Sequence, residues 1–391
     1  MIRRLSGRSI VLGVAAPVAA LLFAALVSAA ILAATGHNVI DVFHAMYRSL
    51  WPSRRIAVDG GPLPRNLRTV ANSINSATTY YFSALAVAIG FRMNLFNIGV
   101  DGQYRLAAML AAAFAGSTFM DGVPAVLRVT ATILVAMLVG AMWAGVAALL
   151  KVTRGVSEVI STIMLNAVAT ALVSYLLNPH RLAVSVAGSN NIGTRPISPG
   201  GQVPGFAVHG TGTKVFGLVL LAVVAGIVYS LVLSRTRFGF EIKATGLSES
   251  AAVASGVSVK KMVAAAMLLS GAVAGLVGMP QLLGSSYSYS LDFPTGLGFT
   301  GIAIALLGRN SPVGMAFAAL LWGVLDQSAN ALDISGVPKE IVAVMQGVIV
   351  LSVVVAYELV RRYRLRLEQR DVGRALGTAS VPAPPTAGVT A

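Results

Sequence analysis

The chain has 391 residues, 56% hydrophobic and only 11% charged, with 29 Lys and Arg against 14 Asp and Glu and no cysteine. Its mean hydropathy of +0.79 excludes an ordinary soluble domain, which is closer to a quarter charged, and the missing cysteines exclude disulfides, thiolate metal sites and cysteine nucleophiles. The formal charge of +15 is read as basic loops and tails facing anionic lipid, with no nucleic-acid partner.

Apolar runs of eighteen residues or more are long enough to cross a hydrocarbon core of roughly 30 Å. The alternating segments of a β-barrel are missing. The expected fold is therefore an all-α polytopic membrane protein. Ten transmembrane helices are expected, some broken or short, over residues 10–35, 69–91, 102–120, 127–150, 156–177, 214–234, 261–283, 296–308, 313–331 and 339–360.

The first segment follows Arg3, Arg4 and Arg8. Its apolar core exceeds the 7–15 residues of a signal peptide, so it is expected to stay as a helix with a cytoplasmic N-terminus. Ten crossings return the C-terminus to the same side. Eighteen Lys and Arg then fall on the inner side and ten on the outer, in the direction of the positive-inside rule. Residues 36–68 and 178–213 are expected as external loops. They are rich in Pro and Gly ("GGPLPRN", "GTRPISPGGQVPG") and read as irregular surface. All four histidines fall in these loops, where none is placed for a metal site or catalytic dyad. Residues 69–360 form the expected permease core, and 361–391 a basic and then low-complexity, disordered cytoplasmic tail.

The stretch "FRMNLFNIGVDGQYRLAAML", residues 91–110, breaks the apolar pattern with Asn94, Asn97, Asp101, Gln103 and Arg105, punctuated by Gly99 and Gly102. Two readings are open. In one it is a short inner loop, with Asp101 at the positive end of the next helix. In the other the chain breaks within the membrane, which is tolerated only where backbone lines a cavity or is buried in protein.

Further along, Glu158 and Glu340 are read as first-turn carboxylates or as functional groups, and Asp326 is evenly balanced between solvation at a helix end and function. Gly271 and Gly275 form a G-x-x-x-G pair suited to close helix packing. "GFTGIAIALLGRNSP", short and glycine-interrupted, suits a broken helix at a translocation path or a tight helix contact. The inner segment 234–261 is too long for a turn. Within it Ser248 and Gly256 are good N- and C-terminal caps for a short helix. No GxxxxGK phosphate loop, G-x-S-x-G elbow or HExxH occurs, so nothing indicates an enzyme or a cofactor.

The segments "FNIGVDGQ", "EVISTIMLN", "RFGFEIKATGLSESAAVASGV", "LSGAVAGLVG" and "GFTGIAIALLGRNSPVG" occur in that order. Over roughly residues 85–360 the chain resembles the permease subunits of ABC importers for simple sugars, nucleosides and branched-chain amino acids. It is most similar to the nucleoside permeases paired with basic-membrane lipoproteins. The resemblance implies a location in the bacterial plasma (inner) membrane. It implies ATP hydrolysis on a separate cytoplasmic ATPase subunit, a second and often non-identical permease, and an external substrate-binding lipoprotein. It also implies that 234–261 couples to the ATPase, through Glu241, Ala244, Gly246, Ala251, Ala252 and Gly256. For a nucleoside or sugar, the side chains suited to line the path are Asn94, Asn97, Asp101, Gln103, Glu158, Asn166 and Gln281. The resemblance favours the membrane-break reading of 91–110. An ion-coupled secondary transporter is the alternative, but it would need a deep carboxylate pair, whereas these acids sit near helix ends.

Overall fold

The computed structural model describes residues 22–50, 65–185, 191–208, 211–334 and 337–378. In chain order the helices are α1 (Leu22–Ala34), α2 (Val39–Leu50), α3 (Arg65–Phe91), α4 (Val100–Ala115), α5 (Ala125–Arg154), α6 (Glu158–Leu176), α7 (Leu218–Arg235), α8 (Arg237–Leu247), α9 (Glu249–Ala254), α10 (Val259–Gly275), α11 (Met279–Gln281), α12 (Leu297–Leu307), α13 (Pro312–Ile334) and α14 (Glu340–Thr378). Between α6 and α7 lie two antiparallel hairpins, β1 (Ala183–Ser185) with β2 (Ile192–Thr194), and β3 (Gly205–Val208) with β4 (Thr213–Phe216).

The chain forms two units. One comprises Met1–Thr35 with Gly347–Ala391, the other Gly36–Gln346. In the first, α1 buries Ala24, Ser28 and Leu32 at a spacing of four, one stripe of a helix. In α14, Glu358 pairs with Arg361 and Arg362 at 2.9 and 2.8 Å.

The second unit is built around α3, which packs against α13, α12, α10 and α7. Its sequence carries Ser, Thr, Asn and Tyr among alanines, and Phe82, Ala84, Ala86, Val87 and Ala88 are wholly buried. A helix with this polar content is stable at membrane depth only when other helices surround it. Three long apolar helices do the opposite. In α5, α6 and α7 the residues Leu134, Leu138, Met164, Val168, Leu220 and Val224 are exposed, as lipid-facing side chains must be.

Among the described residues, five segments are long and apolar enough to cross a membrane: Ala125–Arg154, Glu158–Leu176, Leu218–Arg235, Val259–Ser286 and Glu340–Tyr363. Helix α12, with 11 residues, is about 16 Å long, half a bilayer core.

Helices α5 and α10 approach closely. The carbonyl of Gly140 meets the position a side chain would take at Gly271, and Ala136 does the same at Gly275. The G-x-x-x-G pair is thus a backbone contact surface. Beyond Gly275 the helix breaks at Leu276–Gly278, because Pro280 has no N–H and its ring excludes the carbonyl four residues earlier. A π-turn follows over Leu282–Ser286 and ends on Tyr287, whose φ is +53°.

Parts of two expected loops form regular elements. Within 36–68, residues 39–50 form α2, whose Val42 and Met46 are buried, on an element that packs against α13 and α3. Apolar residues at 39, 42, 43, 46, 47 and 50 follow the helical period. The motifs of residues 51–64 lie outside the described residues. Within 178–213, the hairpins replace irregular surface. They are stitched to the segment after the π-turn by Thr194 N–H to Tyr289 O at 2.8 Å and Ile197 N–H to Tyr287 O at 2.7 Å. Arg128, buried at the start of α5, holds the same region by donating to the Ser198 hydroxyl and the Met120 carbonyl.

Candidate functional site

The polar stretch 91–110 covers the junction between α3 and α4 and the first turns of α4, and its Asn97, Asp101 and Gln103 are buried in protein. Asn94 turns the chain at φ +58°, a left-handed conformation asparagine tolerates, and its side chain is exposed. Asn97 and Gln103 form a reciprocal amide pair: Asn97 Nδ2 donates to Gln103 Oε1 at 3.0 Å, and Gln103 Nε2 to Asn97 Oδ1 at 2.9 Å. Asn97 Nδ2 also donates to the Ser270 hydroxyl at 2.8 Å, which in turn donates to the Ala86 carbonyl at 2.6 Å. One network thus links α3, the junction, α4 and α10.

Asn166, on α6, accepts from the Gly102 N–H at 2.8 Å and donates to the Ile98 carbonyl at 3.0 Å. It satisfies two backbone groups at the helix start that would otherwise be orphaned. Asp101 accepts from the Gly298 N–H at 3.3 Å and so sits at the positive end of α12. Ser83 and Tyr104 hold the same turn through the carbonyls of Leu297 and Pro294, at 2.7 and 2.6 Å. Glu158 is ion-paired to Lys151 at 2.6 Å, joining α5 to α6.

A polar cavity of about 480 Å³ lies between α3, the α11 and π-turn segment, the start of α12, and α13. Helix α3 lines it with Asn72, Asn75, Ser76, Thr79 and Tyr80, and α13 with Asp326 and Gln327. Gln281 and Ser285 face it from the broken helix, and Phe216 and Phe293 supply apolar walls. Tyr80 and Asp326 both face this space, and Gln327 Nε2 donates to Ser76 at 3.3 Å. Among the described residues, the lining carries one carboxylate and no cation. Amides, hydroxyls, a carboxylate and aromatic faces suit a neutral solute rich in donors and acceptors.

Of the seven side chains expected to line a path, Gln281 faces this cavity. Asn97, Asp101, Gln103, Glu158 and Asn166 do not line it and are engaged within the helix framework, and Asn94 is on the surface. The stripe on α3 was not singled out from the sequence. Its signal is the recurrence of Asn72, Asn75, Ser76 and Thr79 at helical spacing in a span that should be apolar. Asp326 is the open carboxylate of the sequence reading, and its place is the cavity wall.

The segment 234–261 folds as two short helices at an elbow. Thr236 caps α8 by accepting from the Gly239 N–H at 3.1 Å, and Ser248 caps α9 by accepting from the Ala251 N–H at 3.3 Å. Gly256 follows α9 at φ +80°, the left-handed geometry that ends helices. Glu241, Ala244 and Gly246 lie on α8, and Ala251 and Ala252 on α9. Phe240, Leu247 and Val253 are exposed on the elbow. A side chain at Gly246 would meet the Arg92 carbonyl at 2.5 Å and Met93 Cα at 2.9 Å, so α8 rests directly on the α3–α4 junction.

Residues 69–354 match the family model described as the branched-chain amino acid transport system / permease component. The guanosine ABC transporter permease protein NupP of Bacillus subtilis is 31% identical over 345 residues, 88% of this chain and 93% of the relative. The nucleoside ABC transporter permease protein NupB of Lactococcus lactis is 30% identical, over 87% of this chain and 90% of the relative. The glucose ABC transporter permease protein TsgB13 of Haloferax volcanii is 30% identical, over 74% of this chain and 76% of the relative.

Proposed function

The chain belongs to the branched-chain amino acid transport system / permease component family and is a permease subunit of an ABC importer; from that premise we propose that it carries a nucleoside, or a simple sugar, through the cavity lined by α3, Gln281 and Asp326. The observation that carries this reading is the cavity's chemistry. Four amides, one carboxylate and two phenylalanine rings face one space, and nucleosides and sugars present hydroxyls, ring nitrogens and flat faces. The relatives that transport guanosine, nucleosides and glucose by name support the same class.

Two further parts complete the reading. The elbow of α8 and α9 docks the cytoplasmic ATPase, with Leu247 and Val253 as apolar knobs and Glu241, Ala244, Gly246, Ala251, Ala252 and Gly256 shaping the surface. A second, non-identical permease and an external lipoprotein receptor complete the importer in the bacterial plasma membrane. Ten crossings span residues 10–360, both termini are cytoplasmic, and the hairpins face outward.

The test is uptake of radiolabelled guanosine and glucose by proteoliposomes holding the assembled importer and internal ATP. Asn72→Ala and Gln327→Ala are expected to lower uptake at least severalfold at unchanged assembly. Leu247→Glu with Val253→Glu is expected to abolish uptake and to release the ATPase. Wild-type uptake in the cavity variants would exclude this cavity as the path.

A further inference from the structure

One wall of the cavity is contributed by a strand, β4, through Phe216. Phe216, the last residue of β4, lies over Gly284 in the π-turn, and a Cβ there would stand 2.7 Å from the ring and 3.2 Å from Phe216 Cβ. Asn75 grips the strand's backbone, and Arg68 Nε adds a bond to the Thr213 hydroxyl at 3.0 Å. Asn75 Nδ2 donates to the Lys214 carbonyl at 2.9 Å, and the Phe216 N–H donates to Asn75 Oδ1 at 2.8 Å. Residues 214 and 216 lie two apart on β4, so the amide takes the place of a neighbouring strand along an edge left unpaired by β3. Asn75 is buried and also lines the cavity.

The surface opposite this strand is strained. Tyr287 holds φ +53° directly after a π-turn, a left-handed conformation that a bulky residue adopts only under strain. It is tied to the same strand, because Lys214 Nζ donates to the Tyr287 hydroxyl at 2.5 Å and lies 5.3 Å from the ring centroid.

We infer that Asn75 is a positioning residue for transport: its amide docks β4 so that Phe216 closes the solute cavity from the external side, and release of that amide opens it. The inference rests on the proposed orientation, in which the hairpins are external. A solute entering this cavity meets Asn75 itself, so its hydroxyls and ring nitrogens compete for the amide that holds the strand. Loading and unlatching are thereby the same event.

The native chain has no cysteine, so introduced thiols are read without background. First, Phe206→Cys on the exposed outer part of the hairpin, in intact cells, is labelled by a membrane-impermeant maleimide. Labelling only after permeabilisation overturns the orientation, and with it an external gate. Second, Gln281→Cys inside the cavity is labelled slowly, and severalfold faster when combined with Asn75→Leu. Equal rates at correct hairpin orientation overturn the role of Asn75 while leaving the transport reading intact. Third, Phe216→Cys with Gly284→Cys places Cβ atoms near the 3.5–4.5 Å that a disulfide requires. Oxidation is expected to stop uptake and reduction to restore it. Undiminished uptake with the disulfide formed overturns the gate. If the reduced pair is itself inactive, the labelling comparison decides.

Discussion

Asn97 and Gln103 answer each other's hydrogen-bonding needs, with Ser270 as a third party. A buried donor or acceptor stripped of its partner costs about 1–3 kcal/mol. Asn97→Ala is therefore expected to lower the thermal stability of the detergent-solubilised protein, while uptake per assembled molecule changes less than in Asn72→Ala. Melting curves and uptake normalised to assembled protein check both halves. Asn166→Ala strips the Gly102 N–H and the Ile98 carbonyl together, and is expected to destabilise by at least as much. The sequence pointed to these residues because amides in an apolar run are expensive. It did not separate amides that bind a solute from amides that bind the protein, because their partners include Ser270, 173 positions from Asn97, and Gly102, 64 positions from Asn166.

At the level of elements, the α5–α10 contact depends on the absence of side chains at Gly140, Gly271 and Gly275. Gly275→Leu would have to displace the Ala136 backbone, and is expected to abolish assembly, read as loss of the monodisperse peak in size-exclusion chromatography. Gly347 has open space around its α carbon, so Gly347→Ala serves as the tolerated control. Pro280→Ala restores an N–H to the broken helix, and is expected to reduce uptake without lowering thermal stability. The positions of the long apolar helices were legible, but the seventh expected span breaks after Gly275 and the tenth runs on to Thr378. Helix α2 was hidden by a loop-like neighbourhood, although its apolar residues keep helical spacing. The hairpins were hidden because strands of three or four residues leave too short an alternation to read, and their pairing is fixed by contacts with the distant 287–290 segment.

Across the whole molecule, orientation is the property most open to a direct check. A single thiol at Ser250, on the elbow, is expected to be labelled by an impermeant reagent only in inside-out vesicles, and one at Phe206 only in right-side-out vesicles. Charge bias gave the expected direction from sequence, since transmembrane orientation is set by Lys and Arg in loops. The location of the cavity was not legible in that way. It is defined by where α3, α11, α12 and α13 leave a gap, and each contributes residues ordinary in isolation.

Helix α3 has 27 residues, about 40 Å of rigid rod. In its first half Asn75 grips the hairpin, and just beyond its end the turn at Arg92 and Met93 bears on Gly246 of the elbow. Two ligands that bias one body are bound to obey reciprocity. If ATPase engagement at the elbow weakens the hold on β4 by some factor, then a receptor that pulls the hairpin outward must change ATPase affinity by that same factor. Titrating the ATPase onto the importer with and without the loaded receptor measures it, and Asn75→Leu, by cutting the rod from its load, is expected to bring the ratio to one.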